Sequence, residues 1–206
     1  MGNMKNNLLI GGGLLLIAAA LCLTIYNQLK GQWAAQASEQ ALQKLEESVS
    51  STAPASRTEE VPDPPRPAYL SDPDVEMPTR EVDGNLYIGI LEIPALELKL
   101  PIISEWSDAR LDVAPCRYTG SAYQNNMIIA GHNYKQFFGS LSELANGDEV
   151  IFTDIEGNRF QYTVSLVEQL PGTAIEEMEA GDWDLTLFTC NFSGNARVTA
   201  RCRLAA

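Results

Sequence analysis

The sequence has little that binds metal or nucleic acid. It holds one histidine and four cysteines, at positions 22, 116, 190 and 202, with no Cys-x-x-Cys pair. A structural zinc site needs about four such ligands at close spacing, so none is expected, and cysteines this scattered do not form a disulfide framework. Lysine and arginine total 14 against 27 aspartate and glutamate, a net charge of -13. No basic face is available to neutralise phosphates, which excludes nucleic acid as a partner. The acidic excess reads as a solvated surface. The chain is 206 residues long and 45% hydrophobic, enough for one domain of about 100 to 150 residues with additional segments. It contains no internal repeat.

The first additional segment is apolar. No charge occurs from Asn6 to Leu29. At ~1.5 Å per residue, the run from Leu8 to Tyr26 is long enough to cross a ~30 Å hydrocarbon layer as a helix. It exceeds the core of a typical signal peptide and is read as an uncleaved anchor. The expected division is a cytoplasmic N-terminus at 1–6, a transmembrane anchor at 7–29, an extracytoplasmic stalk and Pro-rich linker at 30–80, and a folded domain at 81–206. Positions 30–48 suit a helical stalk. Beyond them Pro54, Pro62, Pro64, Pro65, Pro67, Pro73 and Pro78 favour an extended linker that holds the domain away from the bilayer.

After Asn85 the texture changes to short apolar runs rich in β-branched residues. Strands are predicted over 86–93, 96–103, 126–132, 148–154, 158–170, 183–190 and 196–204, with short helices at 108–113 and 137–145. Asp154-Ile155-Glu156-Gly157-Asn158 reads as a hairpin turn, because Gly and Asn accept the positive φ that such loops need. Seven or eight short strands without βαβ alternation predict a mainly β fold, a closed or nearly closed barrel.

Two strand ends carry reactive groups. His132 follows the apolar run Met127–Ala130 and Gly131, and Cys190 closes the run from Leu185. Taken singly, a lone histidine is usually a satisfied polar residue and a cysteine in a strand is usually core. Arg197 opens the next apolar run, where a permanently charged guanidinium can hydrogen-bond a developing oxyanion.

Together, Thr186-Leu187-Phe188-Thr189-Cys190, the upstream Ala130-Gly131-His132 and the arginine opening the following strand resemble the sortases, cysteine transpeptidases of bacterial surfaces. The resemblance runs from about Asn85 to Leu204, and the anchor and linker suit it. It implies a sortase-like barrel with Cys190 as nucleophile, His132 as general acid and base, and Arg197 stabilising the tetrahedral intermediate, with Arg201 as the alternate. Thr189 and Asn133, beside the reactive pair, are the candidate substrate contacts. The implied donor is a surface protein or pilin bearing a sorting signal similar to Leu-Pro-x-Thr-Gly, cut after Thr. The implied acceptor is an amine of a cell-wall precursor or of a pilin lysine, and the catalytic domain is expected outside the cell membrane.

Some pilus-building sortases carry an Asp-Pro-aromatic lid; Asp72-Pro73-Asp74 lacks the aromatic. No cofactor is expected. Glu176, Glu177 and Glu179 are the candidates for calcium, against the simpler reading of a solvated acidic loop. Cys116 and Cys202 are expected as two buried thiols rather than a pair. The rival functions are a hydrolysing cysteine peptidase, in several families of which the cysteine precedes the histidine, and a non-enzymatic anchored β-barrel that binds a surface ligand.

Overall fold

The computed structural model describes residues 2–52, 67–191 and 193–205, with the side chains of 10–47 in the first of these segments. The expected linker at 53–66 lies outside the described residues.

The described residues form nine strands: β1 (Arg80–Val82), β2 (Asn85–Ile93), β3 (Leu98–Ile103), β4 (Cys116–Thr119), β5 (Met127–Ala130), β6 (Glu149–Asp154), β7 (Arg159–Pro171), β8 (Leu185–Cys190) and β9 (Ala196–Leu204). Their order is β1-β2-β3-β4-β5-β8-β9-β7-β6, and a further pairing of β2 with β6 closes the ring. Eight strands thus make a closed mixed barrel, and β1 extends one edge. The parallel pairs are β3 with β4 and β5 with β8. Closure leaves few exposed sheet edges on which another chain could pair.

Alternation along the strands makes two apolar faces. Leu185 and Leu187 of β8, with Val198, Ala200 and Cys202 of β9, belong to the larger core along with Ile129, Phe137, Phe138 and Phe152. Phe188, Ile128, Ala130 and Cys116 belong to a second cluster with Leu111 and Ala114. In β2 a register shift between Tyr87 and Gly89 breaks the alternation, so that Ile88 and Leu91, three apart, share the first core.

The predicted turn is present. Thr153 of β6 pairs with Arg159 of β7. The buried Asp154 carboxylate accepts from Glu156 N and Asn158 N at 2.9 and 2.8 Å, from Asn158 Nδ2 at 2.8 Å and from Tyr123 Oη at 2.7 Å. The two expected helices shrink to α2 (Asp108–Leu111) and a single 3-10 turn at Leu141–Glu143. The four-residue β4 went unpredicted because Pro115 and Gly120 leave too short a run between them.

The N-terminal segments differ most from expectation. The anchor and stalk are one helix, α1 (Gly2–Thr52). Its described residues 10–29 are exposed. Then Gly31, Ala34, Ser38, Ala41 and Leu45 are buried, a 3-4-3-4 stripe on one face. Four of these five are small, so the helix approaches the sheet closely. Lys44 pairs with Asp83 at 2.7 Å and Lys99 with Glu46 at 2.7 Å. The stalk therefore lies along the barrel instead of standing off from it.

Residues 67–79, expected as linker, also fold onto the barrel. Met77 is buried in the core. Tyr69 stacks on Tyr123 with centroids 4.5 Å apart, and Gln124 Nε2 donates to Asp74 Oδ1 at 2.8 Å. Proline enrichment concealed two apolar side chains that each find a partner here. Besides the α1 stripe, packing against the barrel thus includes the segment from about Tyr69 onward.

Candidate active site

The site is assembled by strand register. Cys190 of β8 is the direct antiparallel partner of Arg197 of β9, and directly opposed residues project from the same sheet face. On the other side of β8, β5 runs parallel with Ala130 level with Phe188. The ladder continues through Gly131 N, which donates to Phe188 O at 3.0 Å. Two residues beyond each member of that level pair stand His132 and Cys190. The thiol and guanidinium are thus borne by adjacent strands, and the imidazole by the loop just beyond the next strand, at one end of the barrel.

Each group has a local support. His132 O accepts from Phe138 N at 3.1 Å, and Tyr134 O accepts from Phe137 N and Gly139 N at 2.9 Å each, so the loop after His132 folds back on itself. A Cβ at Gly131 would come within 2.6 Å of the Phe138 ring, which explains the glycine before the histidine. The His132 ring packs at 5.0 Å from Tyr134. Its Nε2 lies 3.3 Å from Asp112 Oδ1, with the His132 side chain 36% exposed.

Arg197 lies over the Phe188 ring, with Cζ 5.2 Å from the centroid, a favourable cation–π placement. Its Nε donates to Gly172 O at 3.1 Å. After Cys190 the chain turns on a polar knot: Asn191 N donates to Ala196 O at 2.8 Å, and Ser193 Oγ donates to Asn195 Oδ1 at 2.6 Å.

Among the three thiols of the barrel Cys190 stands apart; Cys22, also exposed, lies on α1. Cys190 is exposed at the end of β8, whereas Cys116 and Cys202 are free and buried. Burial pushes the Cys116 thiol up to about 12 and Cys202 likewise to about 12. A buried apolar thiol remains protonated and inert.

Arg201 has a different environment. It is 2% exposed. Its guanidinium donates to Met178 O at 2.7 Å, Glu177 O at 2.6 Å, Thr186 Oγ1 at 3.2 Å and Glu168 Oε1 at 3.0 Å. It ties α3 (Ile175–Glu179) to β7 and β8, and opposes Thr186 rather than Cys190.

Of the two candidate substrate contacts, Asn133 is half-buried in the loop next to His132. Thr189 alternates onto the core face of β8; it is 3% exposed and its hydroxyl has no hydrogen-bond partner. It is not presented at the surface with Cys190. Glu176, Glu177 and Glu179 are exposed on α3. Among the described residues no group of three or more His, Cys, Asp or Glu is arranged to hold a metal ion.

Sequence reasoning missed Asp112, Lys30 and an aromatic row. Trp106, Tyr118 and Phe188 stand edge to face at 6.2 and 5.6 Å, running from the exposed Trp106 to Arg197. Their positions in three separate segments left no linear signal.

A closed mixed β-barrel with a thiol, an imidazole and a guanidinium gathered at one end defines the class. Comparison with known proteins agrees: a family model described as the Sortase domain matches residues 91–205, and the chain belongs to the sortase family. It is 27% identical over 128 residues to sortase A of Bacillus anthracis, a match that covers 59% of this chain and 60% of that protein's length. The fold is similar to a Clostridium perfringens sortase D5 transpeptidase, with a TM-score of 0.53 and 21% identity over 58% of this chain and 79% of that one. It is also similar to a Streptococcus pneumoniae sortase C, with a TM-score of 0.52 and 18% identity over 85% and 93% of the two chains. Among the described residues, α1 has the length and composition to cross a membrane.

Proposed function

We propose that the chain is a membrane-anchored transpeptidase that joins surface proteins to an amine through Cys190. The observation that carries this reading is the register that pairs Cys190 with Arg197 on β9 and runs β8 beside β5, whose continuation carries His132. The Cys190 thiolate attacks the threonine carbonyl of a Leu-Pro-x-Thr-Gly-like signal, and the oxyanion of the tetrahedral intermediate is met by the fixed Arg197 guanidinium. As the C–N bond breaks, the protonated His132 gives its proton to the leaving amine, leaving a thioester on Cys190. An acceptor amine then attacks that thioester, His132 takes the proton, and the thiolate departs. Asn133, on the His132 loop, is the proposed polar contact to the signal. The row of Trp106, Tyr118 and Phe188 offers its apolar residues a surface. The acceptor is an amine of a cell-wall precursor or of a pilin lysine, and an α1 anchor confines enzyme and tethered substrate to one surface, which raises their effective concentration.

The test is to incubate the full chain in detergent with a panel of sorting-signal peptides and an amine acceptor, following the ligated product by mass. Product is expected with the wild-type chain and absent with Cys190→Ala. Cleavage that survives the substitution would refute the assignment, and cleavage without ligation in the presence of the amine would point to a hydrolase.

A further inference from the structure

Asp112 is held at the end of α2 between two buried anchors, Leu111 and Ala114, so its backbone is fixed where it stands. Its two carboxylate oxygens have different partners: Oδ1 lies 3.3 Å from His132 Nε2 and Oδ2 lies 3.3 Å from Lys30 Nζ. Lys30 is the first cation after the apolar part of α1, one residue before the stripe that docks on the barrel. The Asp112 hydrogen bond, followed by its charge, holds the Lys30 ammonium above its usual value. Neighbouring Arg110 is engaged elsewhere, with Glu105 at 2.8 Å. The other titratable groups facing the imidazole are Tyr134, at 5.0 Å between rings, and Cys190 on the neighbouring strand, with Arg197 one strand further. Burial, then Asp112, pushes the Tyr134 phenol upward, so Tyr134 is neutral over the working range. Among the described residues Asp112 is thus the carboxylate that pairs with the imidazole.

We infer that Asp112 is a positioning residue for His132, and that Lys30 of the helix α1 tunes it by sharing the same carboxylate. Asp112 fixes the ring through Nε2. Lys30 holds the other oxygen of the same carboxylate and so fixes the carboxylate in turn. Because Lys30 reaches Asp112 only while α1 lies on the barrel, the orientation of the reactive imidazole depends on the docking of the membrane-proximal helix. Both pairs are exposed, and exposed ion pairs add little to folding; their removal is expected to leave the melting temperature almost unchanged.

The inference rests on the proposed role of His132, and the experiment separates the two. His132 is the single histidine of the sequence, so selective nitrogen labelling of histidine in the full chain, held in detergent micelles, gives one imidazole whose Nε2 resonance reports its pairing with Asp112 at a fixed pH. Asp112→Asn is expected to move that resonance, and Lys30→Gln to broaden it as the carboxylate loses its second partner. With peptide and amine, Asp112→Asn is expected to reduce kcat about three- to tenfold, a fraction of what a positioned general acid contributes, with KM little changed. Asp112→Glu, which keeps the carboxylate, should recover most of the kcat. An unchanged resonance in Asp112→Asn would overturn the inference, and an unchanged resonance in Lys30→Gln would overturn the link to α1. Neither result touches the proposed function, which fails instead if activity survives His132→Ala.

Discussion

Cys190 and Arg197 stand directly opposite each other on β8 and β9, while Arg201, four residues along the same strand, is buried under α3. One strand therefore carries two arginines with different work. Arg197→Ala is expected to keep the melting temperature and lower kcat by about 10² to 10³, the cost of losing one oxyanion donor. Arg201→Ala leaves Glu168 and two carbonyls without their donor and is expected to cost about 3 to 5 kcal/mol of stability. Thermal melts beside activity per folded molecule decide it. A destabilised Arg197→Ala chain with normal specific activity would reverse the assignment.

Gly131→Ala tests the support of the histidine loop. The added methyl meets the Phe138 ring at 2.6 Å, and overpacking of this kind costs about 1 to 3 kcal/mol. Both stability and activity should fall, since the shift is transmitted to His132. Combining it with Phe138→Leu should restore much of the activity; a double variant no better than the single one would mean that the clash lies elsewhere.

The thiols should separate by reactivity. At pH 8 a thiol titrating at about 12 is ionised in roughly one molecule in ten thousand. Iodoacetamide followed by peptide mapping of the folded Cys22→Ser chain is expected to modify Cys190 and spare Cys116 and Cys202 until denaturant is added. Early labelling of Cys116 would contradict its burial.

Docking of α1 depends on small side chains. Ala41 is 2% exposed, and Ala41→Phe places a ring where no space exists. Hydrogen exchange over residues 34–47 is expected to speed up, because the two surface pairs of Lys44 and Lys99 contribute at most about 1 kcal/mol each. Unchanged protection would show that the helix is held by something other than the stripe.

Much of the barrel was legible in the sequence because period-two alternation is local: the runs at 86–93, 148–154, 158–170 and 196–204 recur as β2, β6, β7 and β9 within two residues. The hairpin at Asp154 was legible because its turn chemistry is contiguous. The order of the strands was not, since β5 lies beside β8 across more than fifty residues. That long-range pairing is what levels His132 with Cys190, so motif spacing suggested partners that only the fold places together. Arg197 and Arg201 were indistinguishable by spacing, both falling on the same face of β9. Asp112 carried no signal, being one acidic residue among 27. The segment at 67–79 was misread because proline content was taken to outweigh Tyr69 and Met77.

With α1 as the proposed anchor, its unbroken course sets how far the reactive end can stray from a bilayer. A flexible tether would let the barrel sweep a hemisphere whose radius grows with the number of linker residues. Here the helix passes from its apolar stretch to its docked stripe without a break, and Lys30, at the junction, already touches Asp112. Elevation above the lipid is therefore a property of helix phase, not of chain slack. Residues added within 53–66 would leave the working height unchanged, while three or four added between Asn27 and Gly31 would lift and rotate the whole barrel, as a spacer inserted in a shaft turns whatever is mounted on it.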